Sequence, residues 1–311
     1  MSVIAVAGGT GKLGRAIVDV LVSEGKHTTV VLARETSEAK EKEIGTRILA
    51  VNYGDIDALA TVLETNKVEV VISTIDIGQG AESEHALIQA AAKSSITKRY
   101  IPSIWGTKYT EQMTTYFPFA KIKIGIIEAL EATSLEYTSV LNGYFSDYFF
   151  VPKVKSYMPP IPLVLDIANN FAAIPGSGDV PVVFTHTFDV ARFVAALVKQ
   201  PRWEKESYIV GDRVTWNEFL RLAEEAKSTK FTVVHDSLEK LGTGQITELP
   251  SHPSLYPFFP KQMLQGFFAA FGIMFEQGDF DLRPVRSLND DFPDIKPRTV
   301  KELVLEAWKE A

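Results

Sequence analysis

The sequence predicts an α/β protein, a doubly wound parallel sheet over its first half with a smaller C-terminal domain. Three observations carry this reading. Short apolar, β-branched runs alternate with amphipathic stretches from residue 2 to about residue 142. A glycine-rich turn, GGTGKLG at 8–14, joins the first strand-like run to the first helix-like run. Beyond about residue 150 the alternation gives way to aromatic- and proline-rich stretches such as YFFVPKVKSYMPPIPLVL.

SVIAVA (2–7) is short, apolar and bounded by glycine, and reads as a buried strand. Residues 12–24 place Leu13, Ile17, Val20 and Leu21 at helical spacing, and Gly25 supplies a stop. TTVVLAR (28–34), RILAVNY (47–53) and VEVVISTI (68–75) are the second, third and fourth strands, with DIDALATVLETN (55–66) a helix between the last two. AESEHALIQAAAKSS (81–95) is a helix, and KRYIPSIWG (98–106) is a fifth strand with its outgoing loop. A helix near 119–133 and the strand EYTSVLN (136–142) complete six βα repeats. Strands separated by helices imply parallel pairing, and their Val- and Ile-rich composition implies cover on both faces.

In the second half, 181–200 reads as a strand followed by a helix, SYIVG as a further strand and 215–227 as a helix. Residues 230–237 are strand-like, and the tail RTVKELVLEAWKEA is helical. The aromatics at 144–150 and 255–275 read mainly as core, with some available to line an apolar pocket. The expected organisation is a nucleotide-binding domain over 1–150, joined by return segments near 181–211, and a smaller substrate-binding domain over most of 151–311.

Composition narrows the function. Of 311 residues, 46% are hydrophobic and 23% charged, so material for a core is ample. A net charge of −7, without a basic block, argues against nucleic acid and anionic membrane surfaces as partners. The absence of cysteine removes disulfides, thiolate nucleophiles and cysteine metal sites. No apolar run approaches the ~20 residues of a membrane helix, and the N-terminus lacks the basic start of a signal peptide. The expectation is a cytoplasmic monomer or homodimer whose partner is a small-molecule substrate.

The glycines follow a strand and open a helix, the context that a phosphate-binding loop requires. Gly8 allows a tight turn, Gly11 lets the backbone approach a pyrophosphate, and Gly14 lets helix and strand pack closely. Thr10, Lys12 and Leu13 complete this candidate cradle. A P-loop is excluded, because Lys12 is followed by Leu13 rather than Ser or Thr. At the end of the second strand an NAD site places Asp or Glu; this chain has Arg34. A guanidinium suits a 2′-phosphate, so the expected cofactor is NADP(H), with Lys40 or Lys42 adding charge.

The chemistry is harder to place. No tyrosine has lysine four residues on, so the usual Tyr-x-x-x-Lys dehydrogenase pair is absent. On FAKIKIGIIEALEA, Lys123 has Ile126, Ile127 and Leu130 at +3, +4 and +7, an apolar stripe; Lys121 faces a more mixed surface. An inward lysine needs a partner or a task. The five histidines show no metal-ligand spacing, so no metal site is expected, and His186 reads as a loop residue at a helix start. No G-x-S-x-G elbow occurs.

Taken together, GGTGKLG, VVLARETSEAK, VEVVISTI, KRYIPSIWG, the lysine helix leading into LEYTSVLNGYF, and FTHTFDVARFV resemble the NmrA-like, isoflavone-reductase-like branch of atypical short-chain dehydrogenases over nearly the whole length. The resemblance implies a Rossmann fold and a role for Lys123 at the cofactor ribose and in proton transfer. It implies that Ile75 and its followers pass over the cofactor, with Ser103 beside them, and that Asn142, Gly143, Tyr144 and Phe145 flank the nicotinamide. Asn52 and Tyr53 fall near the adenine. Plant-type members carry a PSEFG-like segment where this chain has PSIWG, so Ile104 and Trp105 suggest a more apolar site. The expected activity is NADPH-dependent reduction of an apolar, aromatic or enone- or quinone-like molecule, a reaction of secondary metabolism. A non-catalytic NADP(H)-sensing regulator and a non-redox biosynthetic enzyme are the alternatives.

Overall fold

The computed structural model describes residues 2–78 and 80–309. Its first strand, β1 (Val3–Ala7), is followed by α1 (Lys12–Glu24), β2 (Thr28–Ala33), α2 (Glu38–Ile44), β3 (Arg47–Ala50) and α3 (Ile56–Thr65). Then come β4 (Val68–Ser73), α4 (Glu82–Lys93), β5 (Arg99–Ile101), α5 (Phe119–Glu131) and β6 (Glu136–Tyr137). Among the described residues these strands form a six-stranded sheet in the order β3-β2-β1-β4-β5-β6, every pairing parallel. The order reverses between β1 and β4, which leaves a crevice beyond their C-terminal ends where ligands bind in such sheets.

Two expectations need correction here. The sequence reading had no helix between the second and third strands, yet α2 is present. Only Ile44 of it is buried, so no apolar stripe announces it. Ser37 caps it, and Arg15 of α1 reaches Glu43 at 2.9 Å. The single strand expected over 136–142 is two. The Thr138 N–H donates to Tyr100, whereas the Ser139 N–H donates to Lys205. The chain thus changes neighbours, and β7 (Ser139–Leu141) pairs with β12 (Glu206–Tyr208) in parallel.

The second half holds the strands and helices expected at 181–200, SYIVG, 215–227, 230–237 and the tail, together with further strands at 144–145, 165–166, 171–175 and 212–215 that the sequence did not announce. Between β7 and β12 lie β8 (Tyr144–Phe145), β9 (Leu165–Asp166), β10 (Phe171–Pro175), β11 (Pro181–Thr185) and α6 (Thr187–Leu197). After β12 come β13 (Asp212–Thr215), α7 (Trp216–Lys227), β14 (Thr232–Asp236), α8 (Leu238–Gly242), α9 (Lys261–Gln277), α10 (Leu288–Asp291) and α11 (Val300–Trp308). The last two residues of the helical tail expected from sequence lie outside the described residues. Among those described, β13-β11-β8 and β14-β10-β9 form two small sheets.

Helix α6 packs against α1: Val190, Phe193, Val194 and Leu197 share a core with Ile17, Val18 and Leu21. A separate, aromatic core joins Phe149, Phe184, Trp216, Phe219, Phe268 and Phe275. Its rings meet mostly edge to face, as Phe184 and Trp216 do at 5.0 Å. Helix α7 brings Trp216 and Phe219 there and starts in a capping box, Thr215 and Glu218 each bonding the other's backbone N–H. Thr215→Ala should therefore cost about 1 kcal/mol of stability by denaturant titration. An unchanged midpoint would show that the cap contributes nothing.

Candidate functional site

The glycine loop and the segment after β4 meet at Thr74. Its N–H and hydroxyl both donate to the Ala7 carbonyl, at 2.9 and 2.7 Å. Gly8 has φ +76°, and a Cβ there would lie 2.8 Å from the Thr74 carbonyl oxygen. A Cβ on Gly14 would run into the Thr74 hydroxyl and the Gly8 carbonyl. These two glycines are demanded by close packing. Gly11 differs, because a Cβ there would meet nothing within 4 Å. Space therefore opens at the one glycine expected to admit a ligand.

That space lies at the start of α1. No side chain caps this helix, and its first turn holds no acid. By contrast α2, α3 and α7 are capped by Ser37, Asp55 and Thr215. An uncapped helix start offers free N–H groups and about half a positive charge to an anion. Leu13 is buried under the turn, while Thr10 and Lys12 are exposed. Lys12 reaches across to Asp76, in the loop after β4, at 3.1 Å. The donor set at this loop fits a dinucleotide pyrophosphate.

Arg34 lies exposed at the end of β2 and lines a cleft of about 420 Å³ with Val51, Asn52, Tyr53, Gly54 and Ser83. The structure thus brings Arg34 and Asn52 together. Among the described residues no carboxylate pairs with the Arg34 guanidinium. Neither Lys40 nor Lys42 lines this cleft; Lys40 sits exposed on α2.

Lys123 projects from α5 beside the apolar stripe of Ile126 and Leu130, both fully buried, whereas Lys121 is exposed. Lys123 is half-buried, and its ammonium donates to the Ser103 carbonyl at 3.0 Å. The Tyr109 ring faces it at 5.5 Å. Burial pulls its pKa down to about 8, against the opposing charges of Glu84 and Asp76. Ser103 is itself fixed, its hydroxyl donating to the Ile75 carbonyl at 2.8 Å. Ile75, Ser103 and Lys123 therefore converge where the loops after β4 and β5 meet α5.

The residues after β7 are placed differently. Asn142 is fully buried and accepts from the Gly106 N–H at 3.1 Å. Gly143 has φ +72°, with no room for a Cβ against Val183. The Tyr144 ring is buried among Phe184, Phe271, Phe275 and Phe280. Of the four, Phe145 alone keeps a partly exposed side chain. Ile104 and Trp105, expected to make the site more apolar, are buried in the core, with the Trp105 indole donating to the Ser73 carbonyl at 3.1 Å.

His186 caps α6, its Nδ1 accepting from the Phe188 N–H at 3.2 Å, which is a structural task. Among the described residues no cluster of acids and histidines could hold a metal ion, and no helix is long and apolar enough to cross a membrane.

One buried group escaped the sequence reading. Glu84, in the first turn of α4, is wholly enclosed and accepts from Ser73, Tyr100 and the Ser103 N–H. Burial pushes its pKa up, against those donors and the charge of Lys123. Leu87, Ile88 and Ala91 at +3, +4 and +7 were the available signal, the same test that singled out Lys123.

Comparison with known proteins agrees with this architecture. The model of the NmrA-like family matches residues 1–303. Oxidoreductase BOA1 of Botryotinia fuckeliana is 33% identical over 299 residues, covering 94% of this chain and 95% of that protein. The isoflavone reductase homolog IRL of Zea mays is 28% identical over 319 residues, covering 97% and 96%. Among solved structures, AtPrR2 with NADP+ and (+)pinoresinol superposes with a TM-score of 0.75 at 21% identity, covering 98% of each chain. The fold is shared at that distance, and the family match over residues 1–303 with a relative one-third identical decides the lineage: the chain belongs to the NmrA-like family.

Proposed function

We propose that this protein is an NADPH-dependent oxidoreductase acting on an apolar, aromatic or enone- or quinone-like small molecule, with Lys123 as proton donor or relay. The cofactor part draws on the relatives named oxidoreductase and reductase, and on the NADP+ held by AtPrR2. It also draws on the uncapped start of α1, the room at Gly11 and the free guanidinium of Arg34. Bound there, the nicotinamide supplies a hydride.

The chain's own residues do the rest. N–H groups of the glycine loop and α1 hold the pyrophosphate. Arg34 takes the 2′-phosphate, and Asn52 lies with it in the adenine cleft. The single observation that carries the catalytic reading is Lys123: an ammonium drawn to a pKa of about 8, anchored by a backbone carbonyl rather than a carboxylate. Such a group can give up its proton near neutral pH and stabilise a developing oxyanion before doing so. From Tyr109 a run of aromatic rings leads outward through Phe117 to Phe119 and Phe267 at the surface. On this reading the exposed outer rings, Phe119 and Phe267, pack an apolar substrate, and substrate binding falls to the second half together with the loop before α5.

The test is to mix the protein with NADPH and a panel of quinones, enones and phenylpropanoid-like compounds and follow the absorbance of reduced cofactor. Turnover of one class identifies the substrate type. Tight NADP(H) binding with no turnover across the panel overturns the reductase reading in favour of a non-catalytic sensor.

A further inference from the structure

Lys123 hangs from a main-chain carbonyl, and main-chain carbonyls are aimed by whatever holds their own loop. The Ser103 N–H donates to Glu84 Oε1 at 3.0 Å, and the Ser103 carbonyl accepts from Lys123 at 3.0 Å. The same carboxylate accepts from the Tyr100 hydroxyl at 3.2 Å, on β5, and from the Ser73 hydroxyl, at the end of β4. One fully enclosed carboxylate on α4 thus joins two strands, β4 and β5, and the loop that anchors the lysine. Enclosing a carboxylate is costly unless each oxygen finds donors. An apolar residue would fill this place at less cost if packing were the only demand.

We propose that Glu84 is the positioning residue for Lys123: it clamps the loop after β5 so that the Ser103 carbonyl meets the ammonium, and it supplies the buried negative charge that faces it. The mechanistic meaning of this rests on the proton role proposed for Lys123. The groups that face Lys123 are Glu84 from α4, Asp76 from the loop after β4 and the Tyr109 ring. Those that face Glu84 are Ser73, Tyr100, the Ser103 N–H, Tyr53 and Lys123. Asp76 is largely exposed and already paired with Lys12, which leaves Glu84 as the enclosed counter-charge.

The experiment is an NMR titration of the full chain carrying 13Cε-lysine, with the Lys123 signal assigned by its loss in Lys123→Ala. It needs no substrate, so failure of the reductase reading and failure of this one are separately visible. The wild type should titrate near 8. Glu84→Gln keeps the shape and removes the charge, so the Lys123 midpoint should fall by about half a unit or more. Glu82→Gln, an exposed change on the same helix, should leave it in place. A Glu84→Gln midpoint equal to wild type overturns the proposal. If that variant does not fold, Ser73→Ala decides: losing one donor makes Glu84 harder to ionise and should move Lys123 the same way, and no movement again overturns it.

Discussion

Lys123→Ala should lower NADPH-dependent turnover by about 10²–10⁴-fold, the usual worth of a positioned proton donor. Lys121→Ala, two residues away but exposed, should leave turnover unchanged. The pH profile gives the sign. A lysine acting as an acid works in its protonated form. With its pKa drawn down to about 8 by burial, turnover should hold below that pH and fall by about tenfold per unit above it. Lys123→Arg keeps a charge beside the oxyanion but cannot release a proton in this range, so it should recover little activity and lose the alkaline limb. The measurement is initial rate against pH for the wild type and the three variants. Equal rates in Lys123→Ala and wild type would remove the proton role altogether.

Arg34→Ala should weaken NADPH binding by about 10–100-fold, the worth of charge-assisted hydrogen bonds to a phosphate, while NADH binding stays as it was. The argument is one of difference. Both cofactors share the pyrophosphate that we propose sits at α1, and only one carries the phosphate that Arg34 would meet. Because Arg34 is exposed, its preference should also shrink as salt rises. Fluorescence titration of both cofactors at two ionic strengths reads all of this. An equal loss for NADH and NADPH would mean that the residue shapes the cleft and does not select the phosphate.

The parts of the site legible in the sequence were those with a local signature. Gly8 and Gly14 announce themselves because a turn with positive φ and a close helix approach leave little else possible. Lys123 was legible because a charge on an apolar stripe breaks a helical pattern. Glu84 breaks the same pattern, but it lies in the polar run ESEH, where one more acid looks like a solvated face. Its partners come from two strands and a loop, and only the folded sheet brings them together. Helix α2 was missed for the opposite reason, since EAKEKEI buries a single residue and leans on Arg15 of another helix. The strands β8 and β9 were missed because two residues are too few for a period to show.

The packing of α6 on α1 bears on how the chain comes into being. Lys199 holds Glu24 at 2.5 Å across 175 residues of sequence, and beside that pair Phe193 and Leu197 close the apolar face of Ile17 and Leu21. During synthesis the cradle emerges first, yet its helix waits for most of the chain before that face is covered. Contacts of such long separation fold late and slowly. A nascent chain stopped after the sixth strand presents bare hydrophobic surface of the kind that chaperones retain. Translation stalls or truncations in that window should therefore yield aggregated protein, not a free-standing nucleotide binder.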